Sequence, residues 1–203
     1  MHLNVLNETQ LTQLELLKNF KREFTLVGGT AIALQIGHRK SIDFDLFKSI
    51  PFSTQKVKSK LSEKNIRFSI LFEDFDGVHL QINGVKWTFF YYPFEIKQSL
   101  IKIQAFNMPD LLTLAAMKAY AIGRRSKWKD YVDLYILLKK HFSLNEISEK
   151  AQQIFGDSFS KKMFKIQLGY FVEMDYSEPI EWIIKPIQEE EIKSFLLKVA
   201  TNN

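Results

Sequence analysis

The sequence has no cysteine. That excludes a disulfide scaffold, a cysteine nucleophile, a thiolate zinc site and an iron–sulfur cluster, and it is compatible with a reducing compartment. Glycine and proline are scarce, at eight and five in 203 residues, which excludes collagen-like and low-complexity chains. Long apolar runs are also missing. The greasiest stretches, residues 88–94 and 134–138, fall far short of the ~18 residues of a spanning helix. The N-terminus has neither a basic region nor a continuous apolar stretch, so no secretory signal is expected. The expectation is a soluble, cytoplasmic protein without a membrane partner.

What is present suits a large core. Hydrophobic residues make up 46%, charged residues 25% and aromatics 14%, with eighteen Phe, which argues against disorder. Twenty-eight basic residues against 23 acidic ones leave a net charge of +5. Such an excess favours phosphates and nucleic acid but is too common to decide anything alone.

Periodicity orders the elements. A cap at Asn7 with Gln10 precedes a helix whose apolar face is Leu11, Leu14, Leu17 and Phe20. Residues 24–27 read as a strand, the Gly28-Gly29 pair as a break, and residues 30–36 as a helix ended by Gly37. Residues 41–47 alternate, with Ile42, Phe44 and Leu46 on one side and Ser41, Asp43, Asp45 and Phe47 on the other. Ser53 caps a helix over 54–64, packed through Val57 and Leu61. Strands at 66–72, 78–82 and 85–92 follow, the last two joined by the hairpin signal Asn83-Gly84, with a further strand at 100–103. Beyond residue 105 the texture is helical, at 109–122, 126–140, 144–155, 161–174 and 188–200. The expected architecture is α+β: a mixed sheet with flanking helices over residues 1–105, then a helical bundle over 106–203 completing an active-site cleft.

Two constellations carry chemistry. Gly28-Gly29 between strand and helix lets the backbone approach a ligand and aims helix N–H groups at an anion. Asp43 and Asp45, at i and i+2 on a strand, project from one face roughly 6–7 Å apart. Mg²⁺ (or Mn²⁺) binds through one or two carboxylates plus phosphate oxygens. Alone, Gly-Gly is a turn and Asp-x-Asp a solvated face. Asp is depleted in strands, however, and the two signals together point to a site for a triphosphate and its metal. Lys118 is the second constellation, the only basic residue on an apolar helical stripe with Leu114, Ala115, Ala121 and Ile122. It reads equally as a phosphate-binding ammonium and as a lysine snorkelling from the stripe's edge. Asp130 and Asp133 share a helical face. Asp130 has the metal, a nucleotide hydroxyl or Lys118 within its options; Asp133 reads as a structural acid holding Arg124 or Arg125. The basic cluster from Arg124 to Lys129 reads equally as a phosphate or RNA contact and as a solvated turn. The four histidines, at 2, 38, 79 and 141, show no metal-ligand spacing and no triad.

The segments Gly28-Gly29-Thr30, Ser41-Ile42-Asp43-Phe44-Asp45-Leu46-Phe47, and Lys118, Arg124 and Lys129-Asp130-Tyr131-Val132-Asp133-Leu134 resemble the motifs of the AbiEii/AbiGii abortive-infection toxins. These are a branch of the polymerase-beta-like nucleotidyltransferase superfamily, and the likeness covers residues 20–140. The resemblance implies Mg²⁺-dependent transfer of a nucleoside monophosphate from an NTP to an acceptor hydroxyl, with tRNA or another RNA as acceptor and a cognate antitoxin as partner. It implies that Asp43 and Asp45 hold metal, that Lys118 binds the triphosphate and that Asp130 is the remaining catalytic acid. It also implies phosphate or nucleotide contacts from Gly28, Gly29, Thr30, Arg39, Ser41 and Lys129. One departure stands out. The strand expected to supply a third carboxylate, residues 85–92, has no acid, so Asp130, or one of Glu73, Asp74 and Asp76, would have to substitute. A single-metal enzyme and a catalytically reduced nucleotide-binding or antitoxin-bound module both remain open at this point.

Overall fold

In a computed structural model describing residues 1–96, 101–102 and 105–202, Asn7 and Gln10 form the expected capping box. The Gln10 N–H donates to Asn7 Oδ1 at 2.8 Å and the Asn7 N–H to Gln10 Oε1 at 3.0 Å. They open α1 (Glu8–Leu17), whose inward residues are Gln10, Gln13 and Leu17. Leu11 is exposed, so the expected apolar face is corrected. The reason is a polar contact that local periodicity does not reveal. Buried Gln13 donates to the Ile82 carbonyl at 2.8 Å and accepts from the Trp87 indole N–H at 2.6 Å, so the sheet satisfies an amide where a leucine was expected.

The chain divides into two compact units: Met1–Ile36 with Lys40–Asp110, and Gly37–Arg39 with the chain from Leu111 onward. The first unit is built on a five-stranded mixed sheet. Its strands are β1 (Thr25–Val27), β2 (Asp43–Lys48), β3 (Ser69–Glu73), β4 (Gly77–Ile82) and β5 (Val85–Tyr91), in the spatial order β1-β2-β5-β4-β3. Only β2 and β5 run parallel. Asn83 (φ 46°) and Gly84 (φ 80°) make the two-residue β4–β5 turn. One face of the sheet is apolar: Phe44, Leu46, Val78, Leu80, Trp87 and Phe89 are buried, and Phe20 and Phe24 set their rings against Phe89. Ile42, expected on this face, precedes β2 and is exposed.

Two helices complete the unit. The helix α2 (Gly28–Ile36) begins at Gly28 rather than Thr30. The helix α3 (Thr54–Ser62) buries Val57 and Leu61 as expected, although Ser53 makes no capping bond. Lys58 ties α3 to Glu73 of β3, and Lys60 ties it to Glu23. Short strands β6 (Ile101–Lys102) and β7 (Asn107–Met108) pair antiparallel. Positions 100 and 103 of the expected strand at 100–103 lie outside the described residues.

The second unit is helical: α4 (Leu111–Ile122), α5 (Trp128–Lys140), α6 (Leu144–Phe155), α7 (Lys161–Leu168) and α8 (Glu189–Thr201). A capping box of Ser143 and Glu146 opens α6. Ser126 is not the cap of α5, which begins two residues later, and α7 stops at Leu168, short of the expected residue 174. Residues 37–39 join this unit through main-chain bonds. Ile183 N donates to the His38 carbonyl, and Arg39 bridges to Trp182. Among the described residues no helix is long and apolar enough to cross a membrane.

Candidate active site

The edge of β1 turns directly into α2 at Gly28, whose φ is +71°. A Cβ at this position would lie 2.3 Å from Asp45 Oδ2, so any side chain there would push the carboxylate aside. Gly28, the first of the glycine pair read from the sequence, therefore has a specific cause. It lets the first turn of α2, with its unsatisfied N–H groups, close against the acidic strand. Thr30 reinforces that junction. Its hydroxyl donates to the Asp43 carbonyl, and the Thr30 and Ser41 hydroxyls hydrogen-bond at 2.8 Å. Both side chains are buried, and these partners pin the start of β2 rather than present two free hydroxyls.

Asp43 and Asp45 share the face of β2 opposite buried Phe44 and Leu46, and both are partly exposed. Register places Lys86 opposite Asp43 and Thr88 opposite Asp45 on β5, the strand without an acid. On β4, His79 stands opposite Thr88 with its Nδ1 3.2 Å from Thr88 Oγ1. Sequence reasoning passed over this pair. The Asn83-Gly84 turn contains the signal: Ile82 then faces Val85, and stepping three residues along each strand brings His79 to Thr88. Among the described residues, no group of three or more His, Asp or Glu side chains is arranged to hold a metal. Two oxygen donors on one face do fit a hard cation that keeps its remaining positions for water and phosphate.

The second unit holds a buried ion cluster. Lys118 on α4 donates to Asp130 Oδ1 at 2.6 Å and lies 3.0 Å from Asp133 Oδ2. Arg39 donates through Nε and Nη2 to the two Asp133 oxygens, each at 2.8 Å. Arg125 donates through Nε to Asp130 Oδ2 at 2.8 Å. Three cations thus face two carboxylates. Burial would raise the Asp133 pKa, but Arg39 and Lys118 outweigh it and hold the carboxyl well below the ordinary range. Asp130 is lowered in the same way, against burial, by Lys118 and Arg125. Lys118 is raised by the two acids despite complete burial. His38 behaves differently: burial lowers its pKa in spite of Asp133. Its Nε2 sits 2.8 Å from the ionised Asp133, which can only accept, so Nε2 carries the proton. Nδ1 has no partner among the described residues.

The candidate residues of the helical unit all have partners inside it. Asp133 holds Arg39, His38 and Lys118 rather than Arg124 or Arg125. Arg39, expected at a phosphate, has its guanidinium buried in a bidentate pair. Lys129, expected at the nucleotide, pairs with Glu178 at 3.2 Å, and Lys127 pairs with the same carboxylate. Arg124 stacks 3.4 Å over the Tyr120 ring and donates to the Tyr120 and Ser158 carbonyls. Lys118 is neither isolated nor snorkelling, since two acids neutralise it internally.

The family described as "Nucleotidyl transferase AbiEii toxin, Type IV TA system" matches residues 11–200. An uncharacterized protein of Aquifex aeolicus (strain VF5) is 31% identical over 183 residues, covering 87% of this chain and 86% of its own. Among solved structures, JHP933 from Helicobacter pylori aligns with a TM-score of 0.62 at 18% identity, covering 96% of this chain and 91% of that one. MenT4, a nucleotidyltransferase toxin from Mycobacterium tuberculosis H37Rv, aligns at 0.62 and 12% identity, covering 95% and 81%. At those identities the structures share a fold, the mixed α+β architecture expected from the sequence. With the family matched from the first helix to the last, this chain belongs to the AbiEii nucleotidyltransferase toxin family.

Proposed function

We propose that the chain transfers a nucleoside monophosphate from an NTP to an acceptor hydroxyl, with Mg²⁺ or Mn²⁺ held by Asp43 and Asp45. The observation that carries this reading is the close approach of Gly28 to Asp45, where an added Cβ would fall 2.3 Å from Oδ2 and displace the carboxylate. The helix turn that would cradle phosphates is thereby built against the carboxylates that would hold their cation. Gly28 and Gly29 bring backbone N–H groups to the phosphates. Thr30 and Ser41 act one step back, holding Asp43 in place through the strand's own backbone. A bound divalent cation would supply charge neutralisation of the triphosphate. The chain's own part is to fix the nucleotide's orientation, on which such transfer mainly depends.

From the helical unit, the resemblance assigns the triphosphate to Lys118 and a catalytic acid to Asp130. Lys118 would exchange part of its pairing with Asp130 for phosphate oxygens, a swap between anions that leaves its charge compensated. Arg39 and His38 position Asp133 in this reading and do not contact the nucleotide. An RNA, tRNA included, is the proposed acceptor, and a cognate antitoxin the proposed partner.

The test is incubation of the full chain with each labelled NTP, Mg²⁺ and total RNA. Label is expected in RNA for the wild type and in none of the reactions with Asp45→Ala. No incorporation into RNA or into protein with any NTP would count decisively against transfer. A second reading, a nucleotide-binding module without turnover, is favoured by one observation: Lys86 and Thr88 occupy the β5 positions beside the Asp pair. Calorimetry separates the two, since that module would bind NTP equally well with Asp45→Ala.

A further inference from the structure

The acidic face of the sheet continues beyond Asp43 and Asp45. In one row across the strands stand Asp45 on β2, Thr88 on β5, His79 on β4 and Phe72 on β3. Phe72 reaches this row because the β3–β4 register shifts between Ile70 and Phe72, which turns the strand's alternation over. At about 4.8 Å per strand, the His79 backbone lies roughly 10 Å from that of Asp45. That gap suits one reacting group between two side chains pointing out of the same face. The imidazole is partly exposed, lies 5.7 Å from the Phe72 ring and is tethered at Nδ1 by Thr88. When Nδ1–H donates to Thr88 Oγ1, Nε2 keeps a bare lone pair.

We propose that His79, positioned by Thr88, accepts the proton of the acceptor hydroxyl, a step for which strand β5 offers no carboxylate and which leaves Asp130 to its pairing with Lys118. This rests on Asp43 and Asp45 being the nucleotidyl-transfer centre. In the step, the acceptor O–H proton passes to His79 Nε2 as the acceptor oxygen bonds to the α-phosphorus. The bond from that phosphorus to the oxygen bridging to the β-phosphorus breaks, and diphosphate leaves with the electron pair. The imidazolium then returns its proton to solvent. Charged groups facing His79 are Lys86 on β5, Asp45 on β2 and Asp74 after β3. Burial and then Lys86 depress the imidazole's pKa while the two acids oppose them, so the ring is neutral at pH 7 and ready to accept. His79 would be a catalytic residue and Thr88 a positioning residue.

The experiment uses the full chain, Mg²⁺, the NTP that the wild type incorporates, and total RNA as acceptor. His79→Gln keeps a polar side chain of similar size but cannot take up a proton. It is expected to lower kcat on the order of 10²–10⁴-fold, to leave the NTP Kd by calorimetry unchanged, and to abolish the acid limb of the kcat–pH profile. Nitrogen-15 NMR of the free wild type is expected to show Nε2 unprotonated at pH 7, and Thr88→Val to shift the ring towards the other tautomer. An active wild type whose His79→Gln variant keeps both its rate and its acid limb overturns the role of His79 alone. So does a protonated Nε2 at pH 7. A wild type that transfers no nucleotide overturns the transfer reading and this inference together.

Discussion

Asp133 is a single carboxylate with three basic partners, and it shows what a buried charge requires. Its two oxygens accept both guanidinium bonds of Arg39, and they also meet Lys118 and His38. Asp133→Asn would remove the ionic part of the bidentate Arg39 pair and reduce Lys118 to one acid, so it is expected to cost about 3–5 kcal/mol of stability, the range for a broken buried pair. Chemical denaturation reads this directly. The pH dependence has a defined sign. Asp133 and Asp130 have folded pKa values below 3.8, so the stability they contribute is present above the unfolded carboxylate range and is lost as pH falls through the folded values. His38, lowered from 6.5, is neutral in the fold and takes up a proton more readily when unfolded. It too removes stability as pH falls below about 6.5. The denaturation midpoint of the wild type should decline in two stages on acidification, and Asp133→Asn should flatten the lower one.

Among the elements, two turns with positive φ make opposite demands. Gly84 closes the β4–β5 hairpin at φ +80°, and a Cβ there would meet nothing within 4 Å. Gly28, at φ +71°, would drive its Cβ into Asp45. Gly84→Ala is expected to cost only the backbone strain, about 1–2 kcal/mol, with Mn²⁺ and NTP binding intact. Gly28→Ala should carry a similar strain and also displace the Asp45 carboxylate, abolishing metal-dependent NTP binding in calorimetry. Equal losses of binding in the two variants would show that the Gly28–Asp45 contact has no special role. The same elements show what local pattern reveals. The alternation in β2 and the Asn83-Gly84 hairpin were legible because a strand's period and a two-residue turn are properties of neighbouring residues. The face of α1 was not, because Gln13 is satisfied by Ile82 and Trp87, 69 and 74 residues away. Lys118 with Asp130 was readable at a separation of 12, whereas Arg39 with Asp133 spans 94. His79 went unread because its meaning depends on three strands side by side.

At the scale of the whole molecule, the division into units is not a division of the chain into two consecutive halves. Gly37–Arg39 belongs with the helical unit although it lies between α2 and β2. The residues that hold it are Asp133 by ion pairs, and Trp182 and Ile183 through the backbone. Two residues further along the chain is Ser41, and two beyond that is Asp43. A segment held within the helical unit is thus only a few residues of chain away from the acidic strand. A fragment comprising residues 1–110 keeps the aromatic core around Phe20, Trp87 and Phe89 but loses every one of those anchors. Hydrogen exchange on this fragment should leave β4 and β5 protected, because their partners all lie within the first unit, while the amides of residues 37–40 exchange freely. If the amides of residues 37–40 stayed protected in the fragment, the bonds from Asp133, Trp182 and Ile183 would not be what holds that segment.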